Sequence, residues 1–439
     1  MPTITSLWIR WAGAAAVLLV ALSGLPVAQA QVGKNTDTNV VADDQTPAFL
    51  LLDNWKNGQL PGTWKAVSTQ GAKTVKELVS LGLIFGERPV QVQATHENGA
   101  VSKLQINYLE AGTFFGFRAS EEAKYKDADA KGAQARAKAR ELGELKKKEA
   151  AELAPKRLEF AKRFKELETA IPAAIFGVTK AVGKRVSVGR DLLRTRTTEF
   201  VTDSLAMRFM AEEGQLIAVT IISKDGLTRR MLGDTKGRST GIKEQVTTSE
   251  NGDVVINNVP MVNQGSRGYC AIGTLAMITQ YYGLDVNIDQ LASKAGYKEG
   301  EVSNAAVIPI YEAASKAAKL RMVQQEKFDF RDAMRAVSKG KPLLVWRYFS
   351  RERDDFHSKF AARHLKDPAE NLPNPRKDKD DRKLWPTFDS GGHASLITGY
   401  NKERGEVLFT ESWGENNRNR RMKAEEMEAT AYVVFEFQP

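Results

Sequence analysis

Apolar and polar positions alternate in short paired runs through the first half of the chain. Val90 to Ala94 and Leu104 to Tyr108 both alternate, with Asn98-Gly99 between them. Asn-Gly supplies the positive φ angles of a tight turn, so these runs predict a β-hairpin. Leu205, Met207 and Phe209, a turn at Gly214, then Ile217, Val219 and Ile221 predict another. Val75 to Leu81 reads as a short helix. From about residue 119 to 168 the pattern changes to Ala, Lys, Arg and Glu with almost no β-branched residues, a composition that favours helix. Pro155 is expected to divide this charged segment into two helices, the second burying a stripe of Leu153, Phe160, Phe164 and Leu167.

A short internal similarity accompanies these elements. Lys76-Glu77-Leu78 precedes Ile84-Phe85-Gly86, and Lys165-Glu166-Leu167 precedes Ile175-Phe176-Gly177. Residues 46–118 and 154–225 therefore read as two related helix-plus-hairpin units, an internal duplication within one N-terminal α+β domain (46–225). Residues 226–254 are polar and read as a linker. A second domain follows over 255–439. Within it, Arg351 to Lys383 is charged and contains Pro368, Pro373 and Pro375, and it reads as a surface insertion.

At 439 residues the chain has room for two or three domains, and 42% apolar residues suffice for ordinary cores. The net charge is +10, but basic and acidic residues interleave, so a solvated basic surface is expected and no nucleic-acid partner. The Lys-rich helical segment has at most a weak attraction to an anionic surface. Arg10, the apolar run Trp11 to Leu25 and Ala28-Gln29-Ala30 form an n-region, an h-region and a small-x-small cleavage site. Residues 1–30 thus predict a signal peptide, 31–45 a disordered stretch, and the protein is expected to be exported, periplasmic or extracellular. No later run is apolar over the 18 or so residues a spanning helix needs, so no membrane insertion is expected after cleavage.

Chemistry concentrates around Cys270, the one cysteine in the sequence. A lone cysteine is more often a buried, inert side chain. Its neighbours argue otherwise. Residues 259–269 form a glycine-containing loop, and 271–282 read as a helix that Gly283 can end. Cys270 then stands at a helix N-terminus, where unpaired N–H groups stabilise a thiolate. Downstream, Gly391-Gly392-His393-Ala394 opens a strand, and Val407 to Thr410 leads into Glu411-Ser412-Trp413-Gly414. Two adjacent antiparallel strands there would bring the Glu411 carboxylate beside His393 and fix its tautomer. Trp413 reads as packing beside the histidine. His96, His357 and His364 read as surface residues, with no clear ligand set and hence no metal.

In chain order, Gln264 six positions before Cys270, a cysteine opening a helix that ends Tyr281-Tyr282-Gly283, Gly392-His393-Ala394 and Ser412-Trp413-Gly414 resemble the papain-like cysteine peptidases. The similarity is to the subgroup of peptidases that process bacteriocin leaders, and it covers about residues 255–437. The resemblance implies an N-terminal helix bearing the cysteine, packed on an antiparallel sheet. It implies Cys270 as nucleophile, His393 as base, Gln264 in the oxyanion hole, no cofactor, and a peptide or protein substrate. Glu411 departs from the Asn or Asp usual at the third position, which leaves Asn416 and Asn417 open as alternatives. Two other functions remain: a non-catalytic papain-like binding module, and a Cys-His amidase or acyltransferase acting on cell-wall amides. The separation of Cys270 and His393 is longer than in common cell-wall amidases of that kind, which favours a peptidase.

Overall fold

The computed structural model describes residues 44–438, other than 71, 117–132, 190, 225–242, 285 and 298–303. The expectations for the signal peptide and most of the stretch to residue 45, for the start of the charged segment and for much of the linker lie outside the described residues.

The alternating runs of the first half become strands β1 (Trp64–Gln70), β2 (Lys73–Leu78), β3 (Gln91–Glu97), β4 (Ala100–Glu110), β5 (Lys184–Val188), β6 (Thr195–Val201), β7 (Leu205–Glu212) and β8 (Leu216–Ser223). They form one sheet in the order β1-β2-β3-β4-β8-β7-β6-β5. Each half is a meander, and the two halves join where β4 lies antiparallel to β8. The β3–β4 turn is as the sequence predicts, with Asn98 and Gly99 at φ 52° and 84°. Short helices α1 (Thr46–Phe49) and α2 (Leu52–Lys56) precede the first meander, and α3 (Ala111–Phe115) follows β4.

Three expectations for this region fail for identifiable reasons. The helix predicted over 75–81 is mostly strand β2, because Val75 is paired on both sides, with Ser68 and with Thr95, and pairing overrides a helical spacing. One Lys-Glu-Leu trio therefore lies in a strand and the other in a helix, so these trios are not structural equivalents. The charged segment is not divided at Pro155: α4 (Ala133–Thr179) runs 47 residues through Pro155 and Pro172. An interior proline costs about 3 kcal/mol. The buried stripe of Leu153, Phe160, Phe164 and Leu167, extended by Ile171 and Ile175, outweighs it, at about 1.5–3 kcal/mol for each large apolar side chain. Finally, His96 is buried rather than exposed, because it stands on β3 in phase with buried Val92 and Ala94.

The second domain is built from β9 (Val246–Thr248), β10 (Asp253–Ile256), β11 (Arg321–Gln325), β12 (Leu343–Phe349), β13 (Gly391–Asn401), β14 (Glu406–Thr410), β15 (Arg420–Lys423) and β16 (Ala431–Gln438). Its sheet runs β11-β16-β12-β13-β10-β9, with β14 between β13 and β15. Residues 246–254, read as linker, thus belong to this sheet through the β9–β10 hairpin. The helices are α5 (Cys270–Tyr281), α6 (Ile288–Lys294), α7 (Asn304–Ala317), α8 (Phe330–Val337), α9 (Arg351–His364), α10 (Lys379–Lys383) and α11 (Ala424–Thr430). Nearly every side chain of α5 is buried, as its all-round apolar sequence requires. The charged insertion is not simply surface. In α9, Arg353, His357, Phe360 and His364 are buried. Arg353 bonds to Asp381 and Glu426, and His357 Nε2 lies 3.0 Å from Glu426, so hydrogen bonds to buried carboxylates make the burial of these two side chains tolerable.

The two domains pack along the face of the first sheet opposite α4. Asn107 Nδ2 donates to Asp289 (2.6 Å), Lys294 pairs with Glu212 (2.8 Å), Met261 N–H donates to Ser68 (3.1 Å), and Leu193 joins the core of the second domain. The central strands of the first sheet are consequently buried on both faces, which is why β7 and β8 lose their alternation in exposure.

Candidate active site

The Tyr269 carbonyl accepts the first bond of α5, from Gly273 N–H (2.6 Å), which makes Cys270 the first helical residue. The first-turn N–H groups have no acceptor within the helix, so positive partial charge collects at the thiol. Gly273 allows the helix start to lie against the segment after β14: a Cβ there would stand 2.8 Å from Ser412 Cβ.

Strand pairing sets the other groups. His393 on β13 faces Arg347 on β12 in register, and Ser395 follows two positions on, hence on the same face of the sheet. Glu411 comes immediately after β14, the neighbour of β13 on its other edge. His393 Nε2 lies 2.6 Å from Glu411 Oε2. The second carboxylate oxygen accepts from Arg347 (2.8 Å) and from Ser395 Oγ (2.7 Å), while Arg347 Nε also donates to Ser395 (2.9 Å). The imidazole lies against Trp413, ring centroids 4.7 Å apart, and Phe349, 5.0 Å.

These contacts tune the acids and bases. Burial disfavours ionisation of the Cys270 thiol, but the charge of His393 and its hydrogen bond to the thiol outweigh burial and hold the pKa below the ordinary thiol value. Burial would depress His393; Glu411 and the thiolate instead raise it to about 9. Burial would raise Glu411, yet His393, Arg347 and Arg420 hold its carboxyl well below the usual carboxylate range. The electrostatics favour a thiolate–imidazolium pair braced by a permanently ionised carboxylate.

Gln264 is brought in by the loop before α5. Its N–H donates to Ser412 O (2.8 Å), its Oε1 accepts from Ser412 Oγ (2.5 Å), and its Nε2 donates to Arg267 O (2.7 Å). The four residues singled out from sequence therefore lie around one helix end. Asn416 is exposed, and Asn417 Nδ2 bonds to Trp413 O (3.2 Å); the imidazole's nitrogen partner on this side is Glu411. Sequence reading passed over Arg347 and Ser395. Both had a signal: Arg347 is a lone charge in the apolar strand 343–349, and Ser395 is one pleat repeat beyond His393. Among the described residues, no cluster of His, Cys, Asp and Glu is arranged to hold a metal ion.

Comparison with known proteins bears on this domain alone. Residues 256–439 match the Peptidase_C39 like family. No curated protein sequence matches the chain. Among solved structures, similarity is found to a protein assigned as a C39-like peptidase from Bacillus anthracis (18% identity, TM-score 0.28, covering 43% of this chain and 98% of that one). It is also found to the peptidase domain of Streptococcus ComA, a bifunctional ABC transporter involved in a quorum-sensing pathway (10%, 0.26, 41% and 97%). Xylellain, a cysteine protease from Xylella fastidiosa, is similar as well (13%, 0.27, 47% and 91%). Over its C-terminal segment the chain thus resembles C39-like cysteine peptidases, and the fold class is α+β in both domains.

Proposed function

We infer that the chain is an exported cysteine peptidase that hydrolyses peptide bonds through Cys270, His393, Glu411 and Gln264. The observation that carries this reading is the convergence of a helix-terminal thiol and a carboxylate on the two sides of one buried imidazole. The Cys270 thiolate adds to the amide carbon, and the carbonyl π pair moves to oxygen. An amide NH₂ has two donors. With one on Arg267 O, Gln264 offers the other, together with the Cys270 backbone N–H, to the oxyanion. Collapse breaks the C–N bond as the His393 imidazolium gives its proton to the leaving amine. His393 then takes a proton from water, whose oxygen attacks the thioester and releases the acid and the thiolate. Glu411 remains ionised throughout.

Export is supported by the n-region, h-region and Ala28-Gln29-Ala30 site, and predicts a mature N-terminus at or near Gln31. Intact Cys270 and His393 weigh against a purely binding module. The test is to profile the purified chain against a quenched fluorescent peptide library, with Cys270→Ala as control. Cleavage that vanishes in Cys270→Ala supports the reading. No cleavage of any peptide, or cleavage that survives Cys270→Ala, counts against it.

A further inference from the structure

The loop that carries Gln264 and Cys270 is held from outside its own domain. Between them, Arg267 and Tyr269 reach down to the first sheet. Tyr269 O–H donates to Glu110 Oε1, and Arg267 lies 3.6 Å from Glu110 Oε2. Glu110 ends β4 and caps α3, where its carboxylate also accepts from Gly112 N–H (2.9 Å) and Thr113 N–H (2.7 Å). It is therefore fixed by its own helix before the second domain arrives. Arg267 also pairs with Asp289, which Asn107 of β4 anchors. All of these side chains are buried. Burial and the Glu110 charge raise the Tyr269 pKa, so its phenol stays a proton donor. Gly112 supplies the room: a Cβ there would stand 2.6 Å from Tyr269 Cζ. Gln264 and Arg267 close the connection, each donating to the other's backbone carbonyl at 2.7 Å.

We propose that Glu110 and Tyr269 are positioning residues through which the N-terminal domain fixes the oxyanion-hole loop of the peptidase domain. The role rests on the peptidase reading above, since the loop matters only if Gln264 and the Cys270 N–H meet an oxyanion. The N-terminal domain is then part of the working site rather than an appendage. Oxyanion donors act only when prealigned with the charge that develops, so loosening the loop lowers kcat and leaves ground-state binding alone. It does not alter the thiolate, which depends on His393.

The experiment uses the full-length chain as wild type, Tyr269→Phe, Glu110→Gln, Gln264→Ala, the double variant Gln264→Ala/Tyr269→Phe, and Lys294→Ala. Lys294→Ala breaks another contact between the domains, with Glu212, away from the loop. Tyr269→Phe keeps the ring and removes one hydroxyl, so folding is preserved even if Glu110→Gln is not. Expected are an about tenfold loss of kcat in Tyr269→Phe, the size of one charge-assisted hydrogen bond, with KM unchanged. The pH dependence of Cys270 alkylation is unchanged, and the double variant loses less than the product of the two single losses. Lys294→Ala behaves as wild type. Hydrogen exchange of the 264–270 amides speeds up in Tyr269→Phe and not in Lys294→Ala. Wild-type kcat and exchange in Tyr269→Phe, or an equal kcat loss in Lys294→Ala, overturns the proposal. If the wild type cleaves no peptide, the peptidase reading fails, and unchanged loop exchange in Tyr269→Phe would separately refute the positioning role.

Discussion

Two eight-stranded antiparallel sheets share this chain, and they are built by different rules. In the first, each half is a meander of sequence neighbours, and the one long-range junction is β4 with β8. In the second, the last strand, β16, enters between β11 and β12, and β13 contacts β12, β10 and β14. Sequence-local pairing builds a platform cheaply, because little loop-closure entropy is spent. Non-local pairing is what gathers groups from residues 264, 270, 347, 393 and 411 at one point. The comparison teaches that the chemistry sits where the topology is least local, and that the local sheet serves as its support. Even the charges divide this way. The second domain buries Arg347, Arg353, Arg420 and Arg421 in paired networks, whereas the first domain buries Arg208 beside Glu199 and carries much of its remaining charge along α4.

Substitutions on the two sides should separate accordingly. The largest effect belongs to the non-local site. Glu411→Gln lowers kcat by about 10²–10⁴-fold, the range for losing general acid–base function, with KM retained. Glu411→Asp retains more activity, while Asn416→Ala and Asn417→Ala match wild type. Steady-state kinetics decide, and a kcat loss in either asparagine variant with Glu411→Gln intact would move the third position to that asparagine.

Next is Arg347→Met, which takes one buried cationic partner from Glu411; about 3–5 kcal/mol of stability should be lost in urea unfolding. On the platform side, Leu167→Ala under α4 should cost about 2–5 kcal/mol. The folded fraction should keep the wild-type pH profile of Cys270 alkylation. A shifted profile in that variant would mean that the platform tunes the thiol as well as the loop. The smallest effect is Lys147→Ala on the exposed half of α4, which removes a surface pair with Glu144 (2.8 Å) at about 0.2–0.5 kcal/mol. A larger loss would show that this half of the helix has a packing partner.

Much of this division was legible in the sequence. Asn98-Gly99 and the alternating runs announce their hairpins, because the turn and the pleat are local properties. Cys270, His393, Glu411 and Gln264 are legible because each lies in its own short motif. Where reading failed, a tertiary contact had overruled a local preference. Val75 is held in a strand by partners on both sides, Pro155 is carried by the stripe around it, and His357 is buried by a carboxylate 69 positions away. Arg347, for all that it is a lone charge in an apolar strand, and Glu110 escaped notice as site residues for the same reason. Neither has a motif, and each matters only through a partner that the fold supplies.

The central claim is that Cys270 is a nucleophile poised as a thiolate, and the most direct measurement is its rate of alkylation by iodoacetamide in the native chain across pH. His393 remains cationic until about pH 9, and its charge favours the thiolate at every pH below that. As pH falls, the thiolate persists below the ordinary thiol titration, because the Cys270 pKa is lowered. Alkylation at mildly acidic pH should therefore be faster than for a free thiol, which titrates near about 8.5. Peptide hydrolysis should share this acid limb and decline as pH rises through about 9, when the imidazolium can no longer protonate the leaving amine. A rate that rises only through the titration of an ordinary thiol, or a cysteine that reacts only after denaturation, would contradict the account.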